Sequence, residues 1–591
     1  MTLLTLEWDL ERVNPGTGER TIEEQISEAI LHIDETIREL ETRTGNDSIL
    51  KMVEKINRVQ ALFTKVFEWD EYIICQSSIN VHDSQGQALN DLSNKAKAKM
   101  NTLLLVFGQY LENIPEEKWG ALIQQPETAG VELFLTEQKR KVKDHLDSDL
   151  EKVIHSLSVH GFDGWEDHYE QEFAQLTVPV DNEEVPFNLA YIQAMLSDDR
   201  RIRQEISTAV KKVCSENEER FASIFNHFAG FRNELYQLRG WSNPLKEMLE
   251  QNRISEASVN SMMQTLRKAN PMLRGYFKRK AQLLHVDKLS WYDIYAPTFT
   301  SKTTLTYDKA AEIVTGQFYK VSNKMGRFAE RAFNEGWIDA APSDDKRHGA
   351  FCASFPESKE SRILLSFTGN YQDVVTIAHE LGHAYHNAHL HTQSGFSHHA
   401  GTGLAETAST FAENLVLDAA IDLAETREDR LSLLEMKILN GLKYIAYIPA
   451  KFEFELQFYK KLNSQRLSAA ELVDLMKRTE KDWLQDSLEE VNGYHWMTIP
   501  HFYSAEKAFY NLPYTIGYMF SNGIYSSYLA DKEAFPERYD DLLVNSGNQT
   551  MEQLSTQFLN QGLNSNSFWE DAVRPLEEAV DTYIKETEDC I

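Results

Sequence analysis

Apolar residues recur every three to four positions along most of this chain, which places them on one face of an α-helix. The longest stretches with this spacing cover residues 22–41, 47–66 and 89–110. Proline and glycine, which interrupt regular elements, account for only 15 and 27 of the 591 residues. The pattern therefore predicts a protein that is mainly α-helical.

Two short apolar runs, 349–355 and 362–367, depart from the helical spacing and are typical of β-strands. The second run leads into Thr368-Gly369-Asn370, a turn that can cap a helix. From Tyr371 the helical spacing resumes for about 18 residues, and Asp373 suits the positive end of the helix dipole. Either run can present a free sheet edge to which another extended chain can add as a strand, and an ordinary core hairpin is the alternative.

A turn-rich segment at residues 176–186 interrupts the helical pattern. We therefore predict an N-terminal helical region of residues 1–195 and a second region of residues 196–591. The second region contains the strand-like runs and the candidate catalytic residues described below.

Composition narrows the class of protein. A hydrophobic content of 42% supports a large core, and 11% aromatic residues argue against extensive disorder. The formal net charge of −31 argues strongly against nonspecific binding to nucleic acid, because a phosphate backbone would be repelled. The four cysteines form no C-x-x-C pair and fit a reducing compartment. We see no signal peptide and no run of 18 apolar residues, so we expect a cytoplasmic protein that does not associate with membranes.

Residues 379–383 read His-Glu-Leu-Gly-His, an H-E-x-x-H motif. On a helix, His379 and His383 lie one turn apart on the same face, where both imidazoles can bind one zinc ion. Glu380 lies on the neighbouring side, where it can hold a water molecule activated by the metal. The predicted strand, turn and helix are the setting that this motif requires. A helix that carries two histidines by chance is the alternative.

A catalytic zinc site needs a third protein ligand. His389 follows His383 as in an extended H-E-x-x-H-x-x-G-x-x-H motif, but the midway residue is His386 rather than glycine. On a continuous helix His389 would lie about 9 Å along the axis from His383. Glu406 is near the start of a second predicted helix, 404–423, and a glutamate from such a helix completes a His2Glu set. We favour Glu406 over His389.

The second predicted helix places Ser409 and Glu413 on the same face as Glu406. Glu413 can therefore accept a ring N–H from one ligand histidine and fix its tautomer. A solvated helix carboxylate is the alternative role for Glu413.

Histidine and tyrosine recur in a third segment, residues 501–518. Tyr510 and Tyr514 have the i, i+4 spacing that presents both hydroxyls on one helix face, and Pro513 is expected to kink that helix. With His501 they are candidate donors to the oxyanion that forms during peptide hydrolysis. A buried aromatic stripe in the core is the alternative.

These segments resemble the M3 peptidases, the family of thimet oligopeptidase and the oligoendopeptidase F-like enzymes. Residues 379–386 are similar to the family's H-E-[FL]-G-H-x-x-H, and residues 406–413 match its E-x-x-S-x-x-x-E. Residues 501–518 resemble its His/Tyr-rich segment, although Leu512 replaces a tyrosine found in some members and His501 stands further from the next tyrosines. The resemblance is stronger to the oligoendopeptidase F branch.

The resemblance implies a zincin-type fold that is mainly α and two-lobed, with a small β-sheet next to the active-site helix and a deep central channel. It also implies a zinc-dependent endopeptidase whose partners are short peptide substrates. The implied roles are one Zn²⁺ per chain on His379, His383 and Glu406, water activation by zinc and Glu380, and oxyanion stabilisation by Tyr514, Tyr510 or His501. An exopeptidase on the same site and a catalytically silent peptide-binding protein are the alternatives. The oligomeric state is left open.

Overall fold

The computed structural model describes residues 4–16, 20–42 and 47–591, and most of them are helical. The predicted mainly α class is confirmed. No helix among the described residues is long and apolar enough to span a membrane.

Helices form most of the architecture and follow one another along the chain in four groups. Those before residue 146 are α1 (Ile22–Thr42), α2 (Ile49–Ile79), α3 (Ser84–Glu112), α4 (Glu116–Ile123), α5 (Pro126–Ala129) and α6 (Glu132–Asp144). Those up to residue 302 are α7 (Ser148–Gly161), α8 (Asp163–Ala174), α9 (Phe187–Leu196), α10 (Arg200–Leu238), α11 (Lys246–Gln251), α12 (Glu256–Ala269) and α13 (Met272–Leu283). Those of the central part are α14 (Tyr307–Val321), α15 (Asn323–Asn334), α16 (Tyr371–Leu390) and α17 (Thr402–Leu423). The last are α18 (Arg427–Leu442), α19 (Ile448–Leu462), α20 (Ala469–Trp483), α21 (His495–Thr498), α22 (Leu512–Ala530), α23 (Phe535–Asn545), α24 (Met551–Leu559) and α25 (Asn566–Glu586).

The strands are short. They are β1 (Thr177–Val180), β2 (Glu183–Pro186), β3 (Leu289–Ser290), β4 (Ile338–Asp339), β5 (Phe351–Phe355), β6 (Glu360–Leu364) and β7 (Leu488–Glu490).

The chain divides into two compact units that interleave along the sequence. Unit 1 comprises the described residues of Met1–His145, Thr303–Ala419 and Ser527–Gln561, and unit 2 comprises Leu146–Lys302, Ala420–Ser526 and Gly562–Ile591. The division into regions 1–195 and 196–591 remains a prediction. It concerns which parts of the chain correspond to regions of other proteins.

Unit 2 contains two small sheets. The turn-rich segment at 176–186, where the sequence suggests only an interruption of the helices, forms an antiparallel hairpin of β1 and β2. Its turn residues Asp181 and Asn182 have φ of 51° and 67°, as a tight two-residue hairpin turn requires. The second sheet pairs β3 and β7 in parallel.

Unit 1 contains a three-stranded sheet in the order β4-β6-β5. Strand β4 runs parallel to β6, whereas β5 runs antiparallel to β6, with Phe351 opposite Leu364. Both strand-like runs of the sequence are therefore strands, and β5 is one of the two edge strands of this sheet. The sheet packs on α16, so the predicted small β-sheet next to the active-site helix is confirmed.

The core of unit 1 connects the N-terminal helices to this sheet. Buried apolar residues of α1 to α4 form one cluster with Ala353 and Phe355 of β5 and Leu364 of β6. The three strand residues are at most 1% exposed. The edge strand is therefore held in place by residues more than 200 positions earlier in the chain.

Helix α16 begins at the predicted turn. The Asn370 side chain accepts a hydrogen bond from the Asp373 N–H at 2.9 Å, and the Asp373 carboxylate accepts one from the Asn370 N–H at 3.3 Å. This capping box satisfies N–H groups that a helix start leaves unpaired. Gly369 precedes it with φ of 93°, a conformation that glycine adopts without strain.

Helices α16 and α17 pack backbone against backbone at Gly382. A Cβ atom at this position would lie 2.5 Å from the carbonyl oxygen of Ala408 and 2.6 Å from the Cα of Ser409. Because both obstacles are backbone atoms of α17, neither can rotate away. Glycine at position 382 therefore sets how closely the two helices approach.

We expect Gly382→Ala to lower the free energy of unfolding by about 1–3 kcal/mol, because the added methyl group must separate α16 from α17. Equilibrium urea unfolding followed by circular dichroism measures this change. The matched control is Gly316→Ala, an exposed glycine within α14 whose added Cβ meets nothing within 4 Å. That control should stabilise by about 0.5–1 kcal/mol, since alanine favours a helix. Equal effects of the two substitutions would contradict the contact at Gly382.

Candidate active site

Three side chains of unit 1 converge on one point. His379 and His383 lie one turn apart on α16, and Glu406 lies in the second turn of α17. The two Nε2 atoms are 3.1 Å apart, and Glu406 Oε2 lies 3.5 Å from His379 Nε2 and 3.6 Å from His383 Nε2. A tetrahedral zinc ion with bonds of about 2.0–2.2 Å places its ligand atoms roughly 3.3 Å apart. The triangle therefore has the size that one such ion requires.

The groups behind this triangle orient it. Glu413 is hydrogen bonded to Nδ1 of His379, so Nε2 of that ring faces His383 and Glu406. The Ser409 hydroxyl donates to Glu406 Oε2 at 3.0 Å. The His383 ring is hydrogen bonded to the backbone of Ala405. Partners of this kind fix the tautomer and orientation of metal ligands, and the role predicted for Glu413 as a hydrogen-bond partner is confirmed.

His389, the alternative third ligand, is engaged elsewhere. Its Nδ1 lies 2.8 Å from the carbonyl oxygen of Tyr385, and its Nε2 lies 2.8 Å from Lys324 Nζ and 3.3 Å from Asp540 Oδ1. Both ring nitrogens therefore have protein partners. Among the described residues, the group that can hold a metal ion is His379, His383 and Glu406.

The carboxylates of the site change the protonation of its other groups. Burial lowers the pKa of His379, but the hydrogen bond to Glu413 and the nearby negative charges outweigh it and raise that pKa to about 9. Burial and the proximity of His379 lower the pKa of His383 to about 4. Burial raises the pKa of Glu380 to about 7, with further raising by Glu406 and Glu413. A carboxyl with a pKa near neutrality can both accept and release a proton.

A cavity of about 420 Å³ opens onto the triangle within unit 1. Its lining comes from helix α2, strand β5, helix α16 and the segment before α17. It includes Phe67, Glu71, Cys352, Ser354, Glu380 and His399. Sequence reasoning missed Glu71, because nothing in its local pattern relates it to a motif more than 300 residues away.

His501, Tyr510 and Tyr514 form a cluster in unit 2. The His501 ring centroid is 4.5 Å from that of Tyr510 and 5.7 Å from that of Tyr514, and the two tyrosine centroids are 5.8 Å apart. His501 Nδ1 lies 3.0 Å from Asn511 Oδ1. The structure thus brings the three predicted residues of this segment together.

Two details expected for this segment are wrong. Tyr510 lies in the turn before α22, so the two tyrosines do not share a helix face. Pro513 is the second residue of α22, where its missing N–H breaks no helical hydrogen bond, so it does not kink the helix. The left-handed conformation of Phe509, with φ of 52°, turns the chain just before Tyr510.

The chain is similar to a known family of peptidases. A model described as peptidase family M3 matches residues 193–573, and one described as Oligopeptidase F matches residues 111–177. Oligopeptidase PepF of Bacillus subtilis is 21% identical over 556 residues, which cover 92% of this chain and 81% of that protein.

Solved structures of peptidases share the fold. A putative peptidase from Chlamydophila abortus superposes with a TM-score of 0.82 at 16% identity, covering 98% of each chain. Oligoendopeptidase-F from Enterococcus faecium gives a TM-score of 0.71 at 17% identity, covering 96% of this chain and 99% of that one. At these identities the likeness establishes the fold.

We expect zinc affinity to fall about tenfold per pH unit as the pH is lowered from about 8 to 6. A proton and a metal ion compete for Nε2 of His379, and the raised pKa of this histidine favours the proton throughout that range. Competition with a fluorescent chelator at several pH values measures the affinity. An affinity that stays constant over this range would contradict the raised pKa.

The same measurement tests how Glu413 contributes to zinc affinity and to its dependence on pH. Glu413→Gln should weaken zinc binding by about 10–100-fold and reduce its dependence on pH, because the pKa of His379 moves back towards its ordinary value. Glu425→Gln, at an exposed glutamate, is the matched control and should change neither quantity.

Proposed function

Because the chain belongs to peptidase family M3 and is a metallopeptidase, we propose that it is a zinc-dependent endopeptidase that hydrolyses internal bonds of short oligopeptides. The observation that carries the zinc assignment is the triangle of His379, His383 and Glu406, whose edges of 3.1, 3.5 and 3.6 Å suit one tetrahedral ion. Two imidazoles and one carboxylate are also a donor set that zinc accepts in peptidases.

In this proposal the three residues hold one zinc ion per chain. Bound zinc polarises the scissile carbonyl and lowers the pKa of a water molecule. The residues around the triangle keep its donor atoms directed inward, since Glu413 occupies the far nitrogen of His379 and Ser409 donates to Glu406.

Glu380 moves the proton. It lies in the cavity beside the metal ligands and accepts a proton from the attacking water, which adds to the scissile carbonyl. It then delivers that proton to the leaving amine as the C–N bond breaks. A pKa of about 7 in the cavity supports both directions of transfer.

Tyr514 donates a hydrogen bond to the oxyanion, with Tyr510 or His501 as the second donor. The grouping of the three rings in unit 2 supports a shared role. Burial lowers the pKa of His501, which favours the neutral imidazole. A neutral imidazole donates from only one nitrogen, and Nδ1 of His501 donates to Asn511 Oδ1 at 3.0 Å. This tautomer leaves Nε2 as an acceptor, which favours Tyr510 as the second donor.

Residues 1–195 correspond in this proposal to an oligoendopeptidase F-like N-terminal region, and residues 196–591 to the catalytic region. The two family models, which match 111–177 and 193–573, support this assignment. The free edge of β5 next to the cavity supports binding of an extended peptide through main-chain hydrogen bonds. The cytoplasmic location stays a prediction.

We expect the protein with one zinc ion to cleave an N-acetylated, C-amidated octapeptide internally. Glu380→Gln should reduce the rate by several orders of magnitude, because the amide cannot accept the proton, while metal content stays near one per chain. Mass spectrometry of the products and elemental analysis measure the two quantities. An intact blocked peptide alongside cleavage of the unblocked one would favour an exopeptidase. Equal rates for the variant and the wild type would contradict the proposed mechanism of hydrolysis.

We expect Tyr514→Phe to lower kcat by about 100–1000-fold with little change in KM, because the lost hydroxyl acts only on the transition state. Steady-state kinetics on the blocked octapeptide measures both constants. Tyr518→Phe on the same helix is the matched control, since its ring stacks on Tyr444 with centroids 4.4 Å apart and that stacking needs no hydroxyl. Comparable losses in the two variants would contradict the assignment.

A further inference from the structure

The cavity at the metal-ligand triangle has a third carboxylate on its wall, besides Glu380 and Glu406, that the proposed reaction does not use. Glu71 of α2 lines this cavity together with Glu380 of α16. Cys352 of β5 lines the same cavity as both carboxylates. After burial, the charges of Glu380 and Glu71 raise the pKa of its thiol. Both carboxylates thus face the cavity that this residue of the edge strand lines.

Glu71 contacts the backbone of the edge strand. Its carboxylate accepts a hydrogen bond from the backbone N–H of Ser354. Because backbone N–H groups alternate in direction along a strand, the N–H of Cys352 points the same way as that of Ser354. The N–H of Ser354 is thus occupied by Glu71. The N–H of Cys352, about 7 Å along the strand, would face a peptide that pairs with β5.

Glu71 lacks a cationic partner among the described residues. No lysine, arginine or histidine among the described residues forms an ion pair with it. Lys97, whose charge acts to lower the pKa of Glu71, pairs with Asp70 at 2.8 Å. Burial raises the pKa of Glu71 to about 8, as expected for a carboxyl without a compensating charge. A positively charged group that entered the cavity would favour the ionised carboxylate.

From this geometry we infer that Glu71 is a specificity residue that binds a positively charged nitrogen of the peptide substrate, about two residues from the scissile bond. The inference rests on the proposed function, since the peptide is placed along β5 with its scissile bond near Glu380. The nitrogen has two possible sources, a lysine side chain or the free α-amino group at the end of a short peptide. Either source would present an ammonium group to the Glu71 carboxylate. That carboxylate lies at Ser354, where pairing between the peptide and β5 would end.

A peptide series tests this inference. The parent is an N-acetylated, C-amidated nonapeptide of neutral residues, and lysine or Nε-acetyl-lysine is placed at each position in turn. A second arm compares the free with the acetylated N-terminus. For the wild type we expect kcat/KM to be about tenfold higher for the charged member of one pair, with its charge about two residues from the cleaved bond. Tenfold corresponds to about 1.4 kcal/mol.

Glu71→Gln should reduce this ratio to within about twofold of one. Because the ratio compares two peptides on the same enzyme, a general loss of activity or folding cancels. The matched control is Glu68→Gln, one turn earlier on α2, where the carboxylate accepts a hydrogen bond from the Glu357 N–H at 3.2 Å and does not line the cavity. That control should keep the full preference.

Two outcomes would overturn the inference, namely a wild type without preference at any position and a Glu71→Gln variant that keeps the preference. The arm that shows the preference identifies the source of the nitrogen. If no peptide is cleaved, the proposed hydrolysis is contradicted independently of the role of Glu71. The affinities of the same labelled peptides for Glu380→Gln and Glu71→Gln/Glu380→Gln, measured by fluorescence anisotropy, then decide the role of Glu71 separately.

Discussion

The direct contact between the backbones of α16 and α17 at Gly382 is the constraint on which the candidate site depends. The helix with His379 and His383 and the helix with Glu406 are separate elements, and their donor atoms must meet within less than 4 Å. A Cβ atom at position 382 would lie only 2.5 Å from the Ala408 carbonyl oxygen, so a side chain there would push α17 and Glu406 away from both rings. The glycine inside the H-E-x-x-H motif thus has a packing role as specific as the ligand role proposed for its neighbours.

Electrostatics imposes the second constraint. Glu380, Glu406 and Glu413 lie close together in a partly buried space, where burial and then the charges of Glu406 and Glu413 raise the pKa of Glu380. Of the two histidines, His379 has a pKa raised to about 9, which favours a compensating proton at neutral pH, whereas burial and the proximity of His379 lower the pKa of His383. A divalent cation would relieve this repulsion more effectively than a single proton. The same carboxylates that orient the ligands therefore also favour a metal ion.

The sequence predicts the elements whose signals are local. Asn370 and Asp373 mark the start of α16 through a capping box, and the helical spacing after Tyr371 carries the ligand pair. Glu406 follows from the chemistry of zinc together with a second helical segment. Spacing alone misplaces Tyr510, because the left-handed Phe509 delays the helix and a single residue of this kind leaves no periodic signal. Glu71 and the interleaved units depend on contacts between distant segments, which spacing rules do not describe.

The shared core of the N-terminal helices and the β5–β6 hairpin limits where the chain can be cut into fragments that fold. A fragment that starts after residue 195 would leave Ala353 and Phe355 of β5 and Leu364 of β6 facing solvent. Strand β5 is the strand that lines the cavity. The fragment would also lack one wall of that cavity. The portion with the H-E-x-x-H motif is therefore not a self-sufficient module for expression or domain exchange, and insertions and deletions in the first 145 residues would disturb the cavity beside this motif.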